Sequence, residues 1–203
     1  MNGIPALRSG RMKWTVLSDN RSNDSRLFTE HGLSIILQTE KHKILLDTGA
    51  SDVFFRNAEQ LGIDLSDVDY VFISHGHSDH AGGLRCFLEH NRQAKVIVSS
   101  NAMSGRFFSK RGNLHSITTE WPEIGDDRLI LVKQTCEIDN GIHVIAHIPQ
   151  NHPMPKGGCH GKVDDVLRSY QNGELQDSLE SCDHHDCTHH EKKPVYVIPS
   201  FKK

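Results

Sequence analysis

The chain has 203 residues, with 23 Lys and Arg against 26 Asp and Glu, and a formal net charge of −3. This length predicts one domain large enough to bury a core, and the near-neutral charge without a basic stripe argues against a nucleic-acid partner. A mean hydropathy of −0.50 and the lack of a long apolar run argue against a membrane span. Residues 1–11 have no apolar segment of the secretory kind and are interpreted as an N-terminal extension.

Strands and helices alternate along the first three quarters of the chain. Apolar runs predict strands at residues 14–17, 33–38, 43–46, 68–73, 95–98, 129–135 and 142–148. Helical spacing of apolar residues predicts helices at residues 52–61, 83–89 and 102–110. This order predicts an α/β fold over residues 12–155, followed by an atypical polar tail, rich in His and Cys, over residues 156–203.

Residues 75–80, with the sequence His-Gly-His-Ser-Asp-His, follow the apolar strand predicted at 68–73 after one intervening residue, Ser74. They are therefore predicted to lie on a loop at the carboxyl end of a buried strand, where α/β folds place their chemistry. Nitrogen and oxygen donors at this density favour a divalent cation, although a chance cluster is the alternative in a chain with 15 His. Side chains two apart in an extended segment point the same way. We therefore expect His75 and His77 to share one ion, and Asp79 and His80 to face a second.

The pattern His75-x-His77-x-Asp79-His80 resembles the signature of the metallo-β-lactamase superfamily, which consists mostly of zinc- or iron-dependent hydrolases. Residues 44–49, a strand that ends in Asp47-Thr48-Gly49, are similar to the family segment that precedes the histidine motif. Residues 30–34 and 61–65 resemble one branch, the 7,8-dihydropterin-6-methyl-4-(β-D-ribofuranosyl)aminobenzene-5′-phosphate synthase-like metal-dependent hydrolases. The resemblance covers about residues 12–155 and implies an αββα sandwich of which this chain holds only the first half complete.

The resemblance also implies a chemistry. One or two Zn²⁺ ions, or Fe or Mn, would activate a water for attack on an ester, amide or phosphate-type small molecule. The implied substrate bears a pterin or a phosphate. Asp79 would orient the attacking water besides binding metal, and Asp47 would fix a metal ligand through a hydrogen bond. An ordinary aspartate in the turn after a strand is the alternative for Asp47.

The later histidines of the family are not found at their usual motifs. The branch implies a Gly-Cys-Ser-His-like turn and a Gly-Gly-x-His-like turn, and neither occurs in this chain. His147 and His152 lie nearest the expected position and are candidate additional ligands, or ordinary histidines. The donor-rich segment 182–190 is interpreted as a replacement source of ligands, as a separate zinc site with Cys159 and His160, or as a segment that binds metal weakly and without function.

Three further alternatives stand beside the hydrolase. Asp47-Thr48-Gly49-Ala50 also resembles the segment of retroviral-type aspartic proteases that carries the catalytic Asp, a mechanism that needs two such carboxylates. With part of the ligand set missing, the chain is alternatively a truncated or divergent metal-binding remnant without catalysis. The branch name adds a synthase-like transferase.

Five cysteines at irregular spacing argue against a disulfide framework and predict a reducing cytoplasm.

Overall fold

A computed structural model describes residues 12–109, 114–139 and 141–146, and the backbone of the strand Tyr196–Pro199. The strands in chain order are β1 Lys13–Ser18, β2 Ser34–Gln38, β3 Lys43–Leu46, β4 Tyr70–Ile73, β5 Lys95–Ser99, β6 Phe108–Ser109, β7 His115–Ser116, β8 Leu129–Val132, β9 Cys136–Asp139, β10 Ile142–Ile145 and β11 Tyr196–Pro199. The helices are α1 Val53–Gln60, α2 Ser78–Ala81, α3 Leu84–His90 and α4 Ser100–Ser104.

Six strands form the main sheet, in the order β1-β2-β3-β4-β5-β8. The first three strands are antiparallel neighbours, whereas β3, β4, β5 and β8 run parallel. The carboxyl ends of β3 and β4 therefore lie side by side, because Leu46 of β3 is paired with Phe72 of β4. Loops that follow these two strands are brought together at one edge of the sheet.

The main sheet is covered on both faces, as buried parallel strands require. Successive side chains of a strand point to opposite faces, so Val71 and Ile73 join one cluster while Phe72 joins another. The first cluster contains Phe54 of α1 and Phe87 of α3, and these helices therefore form the layer on that face. Burial of an aliphatic or aromatic side chain contributes about 1.5–3 kcal/mol, so this cluster stabilises the helices against the sheet.

A second sheet of three antiparallel strands, in the order β11-β10-β9, lies against the other face of the main sheet. Val144 and Ala146 pack with Phe72, Ile97 and Val132 in the cluster between the sheets. The described residues thus supply a helix layer and two packed sheets, besides a two-stranded sheet of β6 and β7, and no helix of theirs covers the outer face of the second packed sheet. The predicted α/β class is confirmed, and the layers agree with the first half of an αββα sandwich.

Several predicted boundaries are corrected. The predicted helix 102–110 is α4, which ends at Ser104 because Gly105 adopts an extended backbone, and Phe108–Ser109 is a short strand instead. The predicted strand 129–135 ends at Val132, and β9 follows it. The predicted extension 1–11 and most of the tail 156–203 lie outside the described residues, so the domain division stays a prediction. None of the helices in the described part of the chain is both long and apolar enough to cross a bilayer.

Candidate metal centre

The candidate site begins where β3 and β4 end. Asp47 directly follows β3, Ser74 directly follows β4, and the Asp47 amide donates a hydrogen bond of 2.8 Å to the Phe72 carbonyl. Asp47 adopts φ 54°, in the left-handed region that aspartate tolerates better than most residues. This backbone conformation turns the chain sharply at the strand end and leaves the Asp47 carboxylate buried beside the histidine motif.

The Asp47 carboxylate holds both Ser74 and His80. Its Oδ1 accepts from the Ser74 amide at 2.8 Å, and its Oδ2 lies 2.7 Å from Ser74 Oγ and 2.8 Å from His80 Nδ1. Because a carboxylate only accepts, His80 carries its proton on Nδ1, and Nε2 keeps the lone pair that a metal requires. These contacts engage both oxygens of Asp47, which does not fit the proton-sharing carboxylate of an aspartic protease.

Ser74 extends the same network to His75. Its Oγ donates to Asp47 Oδ2 and lies 2.9 Å from His75 Nδ1. Since the single hydroxyl hydrogen of Ser74 is used on Asp47, the serine oxygen accepts from His75 Nδ1–H. The Nε2 atom of His75 is then also the unprotonated nitrogen. One buried carboxylate thus orients two imidazoles, directly in His80 and through a hydroxyl in His75.

His75, Asp79 and His80 form a compact group of donors. Their ligand atoms all lie within 4.8 Å of one another, and His80 Nε2 is 3.7 Å from Asp79 Oδ2. Ligands bound to one Zn²⁺ at about 2.0–2.2 Å are separated by roughly 3–4 Å, so small side-chain movements bring these atoms to a common ion. The donor set of two imidazoles and one carboxylate fits a divalent cation such as Zn²⁺ or Fe²⁺.

His77 lies beside this group but outside it. Its ring packs 4.4 Å from that of His75 and 5.0 Å from that of Phe107, and its Nδ1 is 3.9 Å from Asp79 Oδ1. The side chain is almost fully buried. The ligand atoms of His75 thus group with those of Asp79 and His80, while the His77 ring packs directly on the His75 ring. That His75 and His77 share one ion stays a prediction.

The short helix α2, which carries Asp79 and His80, is fixed by the neighbouring loop. Thr48 donates to the His80 carbonyl from its amide at 2.7 Å and from its hydroxyl at 3.2 Å. The Leu33 amide donates to the Asp79 carbonyl at 3.2 Å. A side chain at Gly83 would collide with the Thr48 carbonyl, so glycine is required for this close approach of the two backbones.

Three residues near the centre have roles that the sequence interpretation did not assign. Ser74 links Asp47 to His75, Glu30 binds the loop after Asp47, and His31 Nε2 lies 3.5 Å from Asp79 Oδ2. Ser74 stands directly before the motif, so its role could have been inferred from the sequence. The roles of Glu30 and His31 depend on tertiary contacts. The candidate ligands His147 and His152, together with Cys159, His160 and the segment 182–190, lie outside the described residues.

Comparison with known proteins agrees with this architecture. The family model of the metallo-beta-lactamase superfamily matches residues 28–167. An uncharacterized protein of Methanocaldococcus jannaschii is 27% identical over 140 residues, which cover 68% of this chain and 54% of that protein. The 7,8-dihydropterin-6-methyl-4-(beta-D-ribofuranosyl)-aminobenzene-5′-phosphate synthase of the same organism is 28% identical over 147 residues, which cover 66% and 50%.

A solved metal-dependent hydrolase of the beta-lactamase superfamily is 30% identical, with a TM-score of 0.49, over 67% of this chain and 48% of that one. The chain spans about half the length of the curated relatives described above. The family match alone covers more than half of this chain, and it includes both strand-end loops that form the centre. The resemblance predicted from the histidine motif is confirmed: the chain belongs to the metallo-β-lactamase superfamily.

Proposed function

We propose that this protein is a metal-dependent hydrolase whose metal ligands include His75, His77, Asp79 and His80. The observation that carries the proposal is the convergence of His75, Asp79 and His80 within 4.8 Å, at the carboxyl ends of two parallel strands. The Asp47–Ser74 network holds the Nδ1 atoms of His75 and His80, so Nε2 is the nitrogen that each would present to a cation. His77, next to Asp79, is proposed as the further ligand from the same loop.

In the proposed chemistry, Asp47 and Asp79 have different roles. A bound divalent cation supplies Lewis acidity toward water and toward a carbonyl or phosphoryl oxygen. Asp47 is engaged by Ser74 and His80, so we assign it to the orientation of these residues. Asp79 is the other carboxylate of the cluster and is partly exposed. We assign to it the orientation of the attacking water and the acceptance of its proton.

The proposed substrate is a small molecule with an ester, amide or phosphate-type bond. The similarity to a synthase that is named for a dihydropterin and a ribofuranosylaminobenzene phosphate favours a substrate that bears a pterin or a phosphate. The same similarity supports a synthase-like transferase as the second candidate, with the same ligand residues. We place the protein in the reducing cytoplasm, because the irregular spacing of its five cysteines argues against a disulfide framework.

Metal analysis of the purified protein tests the proposal first. We expect about one to two equivalents of Zn, Fe or Mn per chain, because ligands with oriented lone pairs bind these ions tightly. The metal-loaded protein is then assayed with p-nitrophenyl acetate and with bis(p-nitrophenyl) phosphate. Turnover that disappears on chelation and returns on addition of metal supports the hydrolase.

The matched variants are His80→Leu and His90→Leu. His80 belongs to the donor cluster, whereas the His90 ring stacks on Phe55 at 4.1 Å and its Nδ1 lies near the Cys86 carbonyl. We expect His80→Leu to lose most of its metal and its turnover, and His90→Leu to keep both. A purified protein without metal, also after incubation with zinc, contradicts the proposal. Metal binding without turnover of either substrate favours the remnant or the transferase.

A further inference from the structure

The segment of residues 30–33 passes directly over α2. The Leu33 amide donates to the Asp79 carbonyl at 3.2 Å, and the Leu33 carbonyl accepts from the Gly49 amide at 2.9 Å. A methyl group at Gly32 would lie 2.7 Å from the Asp79 carbonyl oxygen and 2.9 Å from the Ala50 amide nitrogen. Only glycine therefore allows this backbone to approach both α2 and the loop after β3.

Glu30 fixes the other end of this segment. Its Oε1 accepts from Ser18 Oγ and from the Ala50 amide, each at 3.0 Å, and its Oε2 accepts from Ser51 Oγ at 2.6 Å. Hydrogen bonds to an ionised carboxylate are stronger than those between neutral groups. The segment is thus held on both sides of His31, and the position of the His31 backbone relative to α2 is defined.

His31 projects from this segment toward the candidate metal centre. Its side chain is 68% exposed, against 23% for Asp79, and its Nε2 lies 3.5 Å from Asp79 Oδ2. Its Nδ1 lies 3.2 Å from the amide nitrogen of Asn20. An amide nitrogen only donates, so Nδ1 accepts and the proton of the neutral imidazole is on Nε2, which is the atom that faces Asp79.

We propose that His31 is a positioning residue for Asp79. Its Nε2, which carries the proton, lies 3.5 Å from Oδ2 and attracts a carboxylate whose oxygens lie 3.9 Å from His77 Nδ1 and 3.7 Å from His80 Nε2. We assign His31 to the orientation of a ligand and not to metal binding, because its lone pair on Nδ1 faces Asn20 while the nitrogen that faces Asp79 carries the proton. This inference rests on the metal site of the proposed function. Partners that orient a metal ligand typically contribute about 10- to 100-fold in metal affinity.

Zinc affinity of the full-length protein tests this role, measured by competition with a chromophoric chelator. Three variants are compared: His31→Leu, which removes the donor, His31→Gln, whose amide nitrogen restores a donor at a similar reach, and the control His90→Leu. We expect His31→Leu to bind zinc about 10-fold more weakly, and His31→Gln to stay within about threefold of the wild type. The melting temperature of the metal-free protein should be the same for all, because both histidines are exposed.

The remaining outcomes distinguish failure of the positioning role from failure of the proposed metal site. A His31→Leu variant with unchanged zinc affinity overturns the positioning role while the proposed metal site stands. A His31→Gln variant that loses as much affinity as His31→Leu also overturns it, because the imidazole itself is then required, as for a ligand. A wild-type protein that binds no zinc, with intact folding, overturns the positioning role together with the proposed function.

Discussion

The two larger sheets of this protein bury their side chains to different extents. In the main sheet, β4 and β5 bury Val71, Ile73, Val96 and Val98 completely. In the second sheet, β9 alternates partly buried and exposed residues, and β10 buries Ile142 and Val144. The main sheet is covered by helices on one face and by the second sheet on the other. None of the described helices covers the second sheet.

The candidate metal centre belongs to the better buried of the two sheets. His75, Asp79 and His80 all follow β4, and the Asp47 that orients two of them follows β3. Ligand atoms hold a metal tightly only when their supports are rigid, and deep burial of parallel strands provides this rigidity. The comparison indicates that the strand ends of the main sheet carry these residues, while the second sheet completes the core beneath it.

The largest expected effect comes from core substitutions, which should lower the free energy of unfolding more at the main sheet than at the second sheet. Phe54→Ala should lower the free energy of unfolding by about 3–5 kcal/mol, because Phe54 is fully buried between α1 and the main sheet. Ile142→Ala should cost about 2 kcal/mol, the low end for this change, because its small cluster adjusts more easily. Urea unfolding of both variants measures the difference.

If Phe54→Ala does not fold, Phe54→Leu provides the same comparison at a smaller cost. The zinc affinity of the folded Ile142→Ala variant should equal that of the wild type. A larger loss of stability for Ile142→Ala, or a loss of zinc affinity on that change, would show that the second sheet supports the centre directly.

Matched aspartate substitutions give the next largest effect. Asp47→Asn places an amide where His80 Nδ1 and Ser74 Oγ both need an acceptor, and asparagine still tolerates the left-handed backbone at φ 54°. We expect zinc affinity to fall about 10- to 100-fold. The control is Asp139→Asn in β9, at an aspartate that accepts from Tyr70 Oη in the other region. Equal zinc affinities of the two variants would disprove the role of Asp47.

The smallest effect is expected at the hydrogen bond that joins the two sheets. Tyr70 Oη donates to Asp139 Oδ2 at 2.8 Å, so Tyr70→Phe should cost about 1 kcal/mol without change in zinc affinity. Burial and this hydrogen bond raise the pKa of Tyr70 from 10.0 to about 12. The stability linked to this shift is present below pH 10 and is lost as the pH rises toward 12. Thermal melts at neutral pH and across that range measure both effects. Identical melting curves for Tyr70→Phe and the wild type would show that this hydrogen bond does not stabilise the protein.

The strand β4 and the donor-rich loop after it were predictable because the signals are local. The apolar run of β4 and the density of donors after it identify the strand and the loop without any tertiary information. The weak strand β9 was missed because its partly exposed, alternating residues provide no continuous apolar run. Helix α2 was missed because it has four residues, and its position depends on hydrogen bonds from Thr48 and Leu33.

Partners that are distant in sequence account for the remaining gaps in the site. His31 reaches Asp79 because Gly32 and Glu30 fix one loop against another, and no periodicity in the sequence encodes such an approach. The grouping of His75 with Asp79 and His80 likewise depends on the turn into α2. Local patterns thus specify the ligand types, and the packing of loops specifies which of them meet.

Anomalous diffraction from crystals of the zinc-loaded protein tests the central claim most directly. We predict an anomalous peak within about 2.0–2.2 Å of His75 Nε2, His80 Nε2 and a carboxylate oxygen of Asp79. A second peak that involves His77 would agree with a two-ion centre. Zinc bound by the donor-rich segment 182–190, with no peak at His75, Asp79 and His80, would contradict the account.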